Sequence, residues 1–183
     1  MRKTNTSRLL ADSLLEIAKT KDVDKITIKE IVENCGLSSQ TFYNHFADKY
    51  ALILWIHQSF GDDLIDKFER GEITLRELSI LNLKFYSRHA AFMLNALHNT
   101  HGADSYRAKS SENAINVIED FVIRRFGIKE LSSIEKQHLR MYVYGITAIC
   151  EYWAENGTIT SPEEMSDIIM NAIPDTLKKY LMP

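Results

Sequence analysis

Four capping boxes constrain this chain more than any other sequence feature. In a capping box, a Ser or Thr begins a helix and a Glu three residues later reaches back to it. The pattern occurs at Thr27/Glu30, Thr74/Glu77, Ser132/Glu135 and Ser161/Glu164. No alternating pattern typical of a β-strand persists beyond a few residues. The sequence therefore predicts an all-α protein.

Caps, apolar periodicity and intervening glycines together predict nine helices. They run over residues 6–20, 27–35, 39–46, 48–69, 74–88, 90–99, 104–126, 132–156 and 161–181. Pro174 lies inside the last of these patterns. Because proline lacks an N–H and clashes with the preceding turn, we expect the last helix to kink or restart near Ile173.

Composition indicates an ordinary globular protein. Of the 183 residues, 45% are hydrophobic and 26% are charged, which argues against disorder as the main state. A chain of this size needs no metal or disulfide to hold its core. Cys35 and Cys150 lie far apart in apolar helical patterns, so we interpret both as buried hydrophobes in a reducing compartment. No secretory signal or membrane span is recognisable, and we expect a cytoplasmic protein.

The charge balance changes along the chain and favours two domains. Residues 1–50 carry a net charge of +1 and residues 51–183 carry −4, within a total of −3. The predicted helices are short in the first part and long in the second. We therefore expect an N-terminal three-helix head over residues 1–50 and a larger helical body over residues 51–183. The overall charge does not favour nonspecific binding of polyanions, although a local surface could bind nucleic acid.

The segment 26–54 has the pattern of a helix-turn-helix. Thr27 caps one helix, Gly36 ends it in the manner of a left-handed residue, and Ser38 is placed to cap the next. That next helix is short, and Phe42 and Phe46 share its core-facing side. Two helices joined by a tight turn with a glycine form the helix-turn-helix arrangement.

The opposite face of the second helix is polar and carries no charge. Gln40 and Asn44 lie nearly opposite Phe42, and Thr41 and Tyr43 flank them. Amide side chains can make paired hydrogen bonds to adenine in the major groove, and hydroxyls can bond phosphate oxygens. A polar helix face is by itself more often simply solvated. The combination of turn, short helix and paired Phe anchors is what favours DNA binding.

The sequence resembles the TetR family of bacterial transcriptional regulators in this region. The resemblance rests on T-x-x-E-I, C-G-L-S, T-F-Y-x-H-F and D-K-x-x-L-I, and it covers roughly residues 6–55. It implies that Thr41 and Tyr43 contact phosphates, that Gln40 and Asn44 reach bases, and that Lys49 contacts the DNA backbone. Lys3 and Arg2 could add contacts from the N-terminal arm. The predicted DNA-binding set is Thr27, Ser38, Ser39, Gln40, Thr41, Tyr43, Asn44, His45 and Lys49.

Three positions depart from the pattern of the family. Val32 and Cys35 stand where the family favours alanine, and Tyr50 stands where an acidic residue is frequent. The first two imply slightly different packing between the first two helices. None of the three removes a predicted DNA contact.

The family resemblance also implies a homodimer formed through the last two long helices. The helix over 132–156 is apolar nearly all round in its second half, as expected for a helix buried on more than one side. The alternative is that both helices only complete the core of one chain. The predicted dimer residues are Tyr142, Ile146, Ile149, Trp153, Met165, Ile169 and Ile173.

A small-molecule effector pocket among the middle helices is a further implication of the resemblance. Aromatic and Met side chains at helical spacing are the candidate lining, although such stripes more often form plain core. The predicted lining is Phe85, Tyr86, Phe92, Met93, Leu97, Tyr106 and Phe121. His98 and His101 are close in sequence, but a metal site would need further ligands, so we expect no metal and no cofactor.

Catalytic motifs are missing from the sequence, so we expect a regulator and not an enzyme. The first hypothesis is a homodimeric regulator that binds palindromic DNA and represses transcription until an effector releases it. A second is a similar activator controlled by a partner protein, as in the subgroup of dihydroxyacetone kinase operon activators. A third is a helical module that does not bind DNA.

Overall fold

The computed structural model describes residues 2–102 and 105–182, with side chains from residue 5 onward. The protein is 76% helical, and the residues described contain no strand. This confirms the all-α fold. The helices are α1 (Arg2–Ile17), α2 (Ile28–Asn34), α3 (Ser39–Tyr43), α4 (Lys49–Glu69), α5 (Leu75–Arg88), α6 (Ala90–His98), α7 (Tyr106–Phe126), α8 (Ser133–Glu155), α9 (Pro162–Asn171) and α10 (Asp175–Leu181).

The four capping boxes form as the sequence predicts. At each one the Ser or Thr oxygen accepts from the backbone N–H of the Glu, and the Glu carboxylate accepts from the cap residue in return. The break at Pro174 is also confirmed, because α9 ends at Asn171 and α10 begins at Asp175.

Three boundaries in the N-terminal region differ from the prediction. Helix α1 begins at Arg2 and not at residue 6. A 3₁₀ turn over Val23–Lys25 follows α1, and α1 ends at Ile17 because Lys19 and Thr20 form tighter backbone hydrogen bonds that close its last turn. Helix α3 spans five residues instead of eight. It ends at Tyr43 because the His45 N–H bonds the Phe42 carbonyl, which turns the chain towards α4.

The first core cluster runs without interruption from the N-terminal helices into the body. It includes Leu14 of α1, Phe42 of α3 and Ile56 of α4, and it continues to Met93 of α6 and Trp153 of α8. Helix α4 contacts α1 of the head and α5, α6 and α7 of the body, and α6 also contacts the 3₁₀ turn of the head. A change in the body would therefore reach the head through α4 and through α6.

A second core cluster lies at the other end of the body. It joins Val122 of α7 and Leu139 of α8 to Leu177 of α10. Helix α9 packs against α5, and α10 packs against α8. The two clusters are separate, and the space between them holds the cavity described below.

Candidate nucleic-acid interface and ligand cavity

A Schellman motif sets the angle between α2 and α3. Gly36 has a left-handed φ of 68°, its N–H bonds the Glu33 carbonyl, and the Leu37 N–H bonds the Val32 carbonyl at 2.8 Å. Ser38 then caps α3, and its Oγ accepts from the Thr41 N–H at 3.1 Å. Glycine is required at position 36 because a side chain would be strained at this φ.

Aromatic contacts hold α3 against the rest of the head. Phe42 is fully buried, and Phe46 contacts it at 5.9 Å between ring centroids and contacts Trp55 of α4 at 6.0 Å. From the other side, the Ser7 hydroxyl lies 3.2 Å from His45 Nδ1. These contacts fix the position of α3 before any ligand binds.

The outward face of α3 presents polar side chains, as the sequence predicts. The Gln40 Nε2 donates to Asn44 Oδ1 at 3.1 Å, and both residues are exposed. The Thr41 hydroxyl lies 2.9 Å from Ser38 Oγ. Tyr43 is 56% exposed, and its ring meets the edge of Phe42 at 5.7 Å. The fold thus brings amides, hydroxyls and a phenol together on one rigid surface.

Lys49 has a position that the sequence analysis did not anticipate. Its Nζ donates to the carbonyl oxygens of Val23 and Asp24 at 2.8 Å and to that of Ile26 at 3.1 Å. Partial burial lowers the pKa of this ammonium from its ordinary value. All three of its N–H donors are therefore engaged within the head, where they join α4 to the 3₁₀ turn.

The remaining predicted DNA-binding residues fall into two groups. Ser39 and Thr27 are exposed at helix starts, and Thr27 also takes part in its capping box. His45 is half-buried and contacts Ser7, so it supports α3 from within. The side chains of Arg2 and Lys3 lie outside the described residues.

A cavity of about 310 Å³ lies between the two core clusters of the body. Helices α4, α5, α7 and α8 form its main walls, and α6, α9 and the end of α10 contribute to it. Leu83 and Tyr86 belong to the first core cluster, while Val143 and Leu181 belong to the second. Its size is at the lower end of the range of about 300–1,000 Å³ that small-molecule sites occupy.

Four of the seven predicted pocket residues line this cavity. They are Tyr86, Leu97, Tyr106 and Phe121. Phe85 does not line it because its ring stacks on Phe60 at 4.1 Å. Phe92 and Met93 are buried in the first core cluster. The cavity lies in the gap between the two core clusters. The spacing of apolar residues along one helix does not show where such a gap between helices will form.

Helix α4 supplies the cavity wall that the sequence analysis missed. His57, Gly61, Leu64, Ile65 and Phe68 line the cavity and follow one another at helical spacing. His57 lies at helical spacing between Ile53 and Gly61 on a face that continues with Leu64 and Phe68. A histidine on an otherwise nonpolar helix face is the sequence signal that could have pointed to this wall.

Buried polar groups of the cavity are uncharged. The Tyr106 hydroxyl lies 2.9 Å from His57 Nδ1 and donates to Met93 Sδ at 3.0 Å. Burial lowers the pKa of His57 to about 4 and raises the pKa of Tyr106 well above its usual value. It also raises the pKa of the Cys150 thiol to about 12. At neutral pH the imidazole, the phenol and the thiol are therefore all neutral.

Comparison with known families identifies both parts of the chain. Residues 11–56 match the model described as bacterial regulatory proteins of the TetR family. Residues 74–175, more than half of the chain, match the model of a transcriptional regulator C-terminal region that belongs to the same family. The chain belongs to the TetR family of bacterial transcriptional regulators. This confirms the resemblance seen in the sequence, and the family consists of regulators and not enzymes.

Solved structures similar to this TetR-family protein include three regulators. The dihydroxyacetone kinase operon activator DhaS has a TM-score of 0.66 at 18% identity, over 96% of this chain and 98% of its own. A TetR regulator from Rhodococcus sp. RHA1 has a TM-score of 0.71 at 14% identity, over 97% and 98%. Thermus thermophilus FadR, a repressor in complex with lauroyl-CoA, has a TM-score of 0.65 at 16% identity, over 91% and 92%. At these low sequence identities, the similarity shows a shared fold and does not extend to function.

A curated relative is similar in sequence as well. The uncharacterized HTH-type transcriptional regulator YxbF of Bacillus subtilis is 25% identical over 175 residues, which covers 88% of this chain. The match spans 43% of the length of that relative.

The predicted dimer residues of this TetR-family protein are mostly buried within their own chain. Trp153 donates from Nε1 to the Thr160 carbonyl at 2.8 Å, and the Tyr142 hydroxyl donates to the Ile169 carbonyl at 3.0 Å. Met165, Ile169 and Ile173 are buried, and Ile146 is half-buried. Ile149 is the one predicted residue of the seven that is exposed, at 39%. The larger apolar stripe of α8 thus faces the core of its own chain.

A second face of α8 is exposed and apolar. It carries Met141, Tyr144, Gly145, Ala148, Ile149 and Tyr152. We refer to these six residues as the α8 face. They extend over about 16 Å at the standard helical rise. No heavy atom lies within 4 Å of a Cβ built at Gly145, so another helix could approach closely there. Of the residues of α8 in the sequence prediction, Ile149 belongs to this face, whereas Tyr142, Ile146 and Trp153 lie on the side that packs against the core. Periodicity did not separate the two sides because the helix is apolar nearly all round.

One group of His and Glu side chains in the described part of the chain has a spacing suited to a metal. The ligand atoms of His98, Glu151 and Glu155 lie within 4.8 Å of one another. Each of the three side chains already has a polar partner, because Arg107 forms an ion pair with Glu151 and His98 Nε2 lies 2.9 Å from Glu155 Oε1. These contacts join α6, α7 and α8. Within the described ranges, no helix is both long and apolar enough to cross a membrane.

Proposed function

We propose that this regulator binds palindromic double-stranded DNA as a homodimer and represses transcription until a small-molecule effector releases it. The observation that carries this proposal is the polar face of α3. Phe42 is buried on the opposite side of this helix, and contacts with α1 and α4 hold the helix in place. A short rigid helix with amide and hydroxyl groups outward suits the major groove.

The exposed residues of this face divide into two roles. Gln40 and Asn44 are the base readers, since each amide offers a donor and an acceptor to an adenine edge. Ser38, Ser39, Thr41 and Tyr43 contact phosphates and set the register, and Thr27 does the same from the start of α2. His45 and Lys49 support this surface from inside the head, according to their hydrogen bonds.

The homodimer forms through the α8 face, together with Ile168 of α9. Ile168 is 53% exposed and Met141 is 72% exposed, although both are apolar. Two copies related by a twofold axis would cover the same residues on each chain. Such a dimer places two α3 helices against successive major grooves, about 34–36 Å apart.

The effector binds in the cavity between the two core clusters. Helix α4 lines this cavity with His57 and Phe68, and its first residue, Lys49, holds the 3₁₀ turn of the head. A ligand that favours one tilt of α4 would therefore shift the population between DNA-competent and incompetent states. It can do so only if its affinity differs between the two.

Two alternatives are less well supported. Control of an activator by a partner protein, the second hypothesis from the sequence, would not require a cavity. The body contains one. A helical module without DNA affinity would not need the polar face of α3 or membership of a regulator family.

Selection of bound sequences from random duplex DNA at near-physiological salt tests the proposal. We expect a palindrome to be enriched. The logarithm of the affinity for it should fall linearly with the logarithm of the salt concentration. The variant carrying Gln40→Ala and Asn44→Ala should lose the palindrome, whereas Gln137→Ala, an exposed amide on α8, should retain it. Failure to enrich any sequence, with binding that does not depend on salt, would overturn the proposal.

A further inference from the structure

The charge of the cavity lining restricts which ligands the cavity can accept. Among the described residues that line it there is no Lys or Arg, and Asp62 is the one carboxylate. His57 is the remaining basic group, and it is neutral because of burial. An anionic ligand would lose its hydration and find no positive charge in exchange, which is costly in an apolar site.

The lining also carries uncharged hydrogen-bonding groups. They include the amides of Asn82 and Asn113. Because an amide offers both a donor and an acceptor, these groups do not select the charge of a ligand. The hydroxyl of Tyr106 is already engaged by His57 and Met93. A preference for one charge would therefore depend on the single carboxylate of the described lining.

A carboxylate also lies at the mouth of the cavity. Asp62 is exposed on α4 and lines the cavity from its rim. Partial burial raises the pKa of Asp62, and the nearby carboxylates of Asp66 and Asp63 on the same helix raise it further. The field of these carboxylates attracts cations and repels anions.

We propose that the cavity accepts an organic cation, with an apolar body inside the cavity and one ammonium group directed to Asp62 at its rim. This inference rests on the proposed function, in which the cavity is the effector site. The apolar walls, which include Leu83, Phe121 and Ile146, bury the body of the ligand. Because the described lining contains no Lys or Arg, a carboxylate or phosphate would find no ion-pair partner among those residues.

Three ligands with the same eight-carbon chain test the charge preference by calorimetry on the full chain. They are n-octylamine, which is a cation at pH 7, 1-octanol, which is neutral, and octanoate, which is an anion. We expect n-octylamine to bind at least roughly tenfold more tightly than octanoate, with 1-octanol between them. Equal or tighter binding of octanoate, or binding of none of the three, would overturn the proposal.

Asp62→Asn is the variant that isolates the charge. Because Asp62 is exposed and the change preserves shape, the fold should persist. We expect this variant to lose most of its preference for n-octylamine and to retain its affinity for 1-octanol. Asp120→Asn, an exposed carboxylate on α7 outside the lining, should retain the preference. An unchanged preference in Asp62→Asn would contradict the inference.

A measurement of DNA affinity with each ligand separates this inference from the proposed function. If n-octylamine binds preferentially and also releases DNA, the charge preference of the cavity and its role as the effector site are both supported. Preferential binding without release of DNA would leave the charge preference intact and reject the effector role of the cavity. Release of DNA by octanoate alone would support an effector site and reject the cation.

Discussion

The Lys49 ammonium donates a hydrogen bond to the Val23 carbonyl oxygen at 2.8 Å. This contact joins the first residue of α4 to the 3₁₀ turn that follows α1, and two further carbonyls share the same ammonium. The lysine therefore connects the helix that lines the cavity with the loop that supports the head. A residue that the family resemblance assigns to DNA has a clear role inside the protein.

Lys49→Met should destabilise the fold. The methionine keeps an apolar stem of similar length but removes the donors to three carbonyls, and the partly exposed site limits the loss to about 1–2 kcal/mol. Urea unfolding at pH 7 measures this free energy. Lys29→Met is the matched control, since Lys29 is exposed in a surface ion pair with Glu33, and it should change stability little. Equal effects of the two substitutions would rule out this role for Lys49.

The same Lys49 variant also separates support from direct DNA contact. If Lys49 acts only within the head, the salt dependence of DNA affinity should keep its slope even if the affinity falls. A direct phosphate contact would instead reduce the slope by about one upon substitution. We expect the slope to be unchanged. A reduced slope would show that the ammonium leaves its carbonyls to reach DNA.

Gln40→Ala and Asn44→Ala should each relax base preference at particular positions of the binding site. The two amides share a hydrogen bond at 3.1 Å and present their remaining donors and acceptors outward. Loss of a paired contact to a base costs roughly 1–3 kcal/mol at the position that it reads. Binding to a panel of single-base variants of the site measures this. Equal weakening on every sequence would contradict the base-reading role.

Tyr43→Phe should weaken binding to most sequences alike. The tyrosine ring meets Phe42 edge to face, so the phenylalanine can keep this packing and lose only the hydroxyl. A hydroxyl that bonds phosphate positions the protein without reading bases. The same panel of binding sites provides the measurement. A change in the order of preference among sites would contradict a phosphate contact.

Local signals predicted most of the fold, because capping and turns depend on residues close in sequence. The Schellman turn at Gly36, the cap at Ser38 and the break at Pro174 all follow from a few adjacent residues. The polar face of α3 followed from the position of Phe42. Each of these needs no knowledge of which other helix lies nearby.

Features that depend on the packing of distant helices could not be predicted in the same way. Helix α8 has apolar residues on most of its circumference, so periodicity does not tell whether Trp153 or Tyr152 faces the core. The structure buries Trp153 and leaves Tyr152 62% exposed. The cavity depends on the gap between two core clusters, and the contact of Lys49 with Val23 joins residues that are 26 positions apart.

Ala148→Glu should dissociate the proposed homodimer and leave the fold of each chain intact. Ala148 is exposed in the middle of the α8 face, where a new carboxylate would be desolvated in the dimer. Unpaired burial of this kind costs several kcal/mol, and we expect dimer affinity to fall by about 100-fold or more. Sedimentation equilibrium gives the molecular mass. Ile159→Glu, at a site 89% exposed outside the α8 face, is the control and should remain dimeric.

His57→Gln should reduce the pH dependence of stability between about pH 6.5 and pH 4. Burial lowers the pKa of His57 to about 4 in the folded chain, whereas an unfolded histidine has a pKa near 6.5. As the pH falls through this interval, the unfolded chain binds a proton that the folded chain does not. The folded state therefore loses stability, with a slope of at most about 1.4 kcal/mol per pH unit from this residue.

Urea unfolding of the wild type and the variant at pH 7, 6 and 5 measures this effect. The comparison uses the slopes, so a change in absolute stability from altered packing does not affect it. Burial and Arg88 also lower the pKa of His89, so a smaller dependence of the same sign should persist in the variant. His101→Gln, an exposed position, is the control and should keep the wild-type slope. If the unfolding free energies of wild type and His57→Gln fall with pH at the same slope, His57 must bind its proton in the folded chain as readily as in the unfolded chain. The cavity would then contain a positively charged imidazolium at low pH.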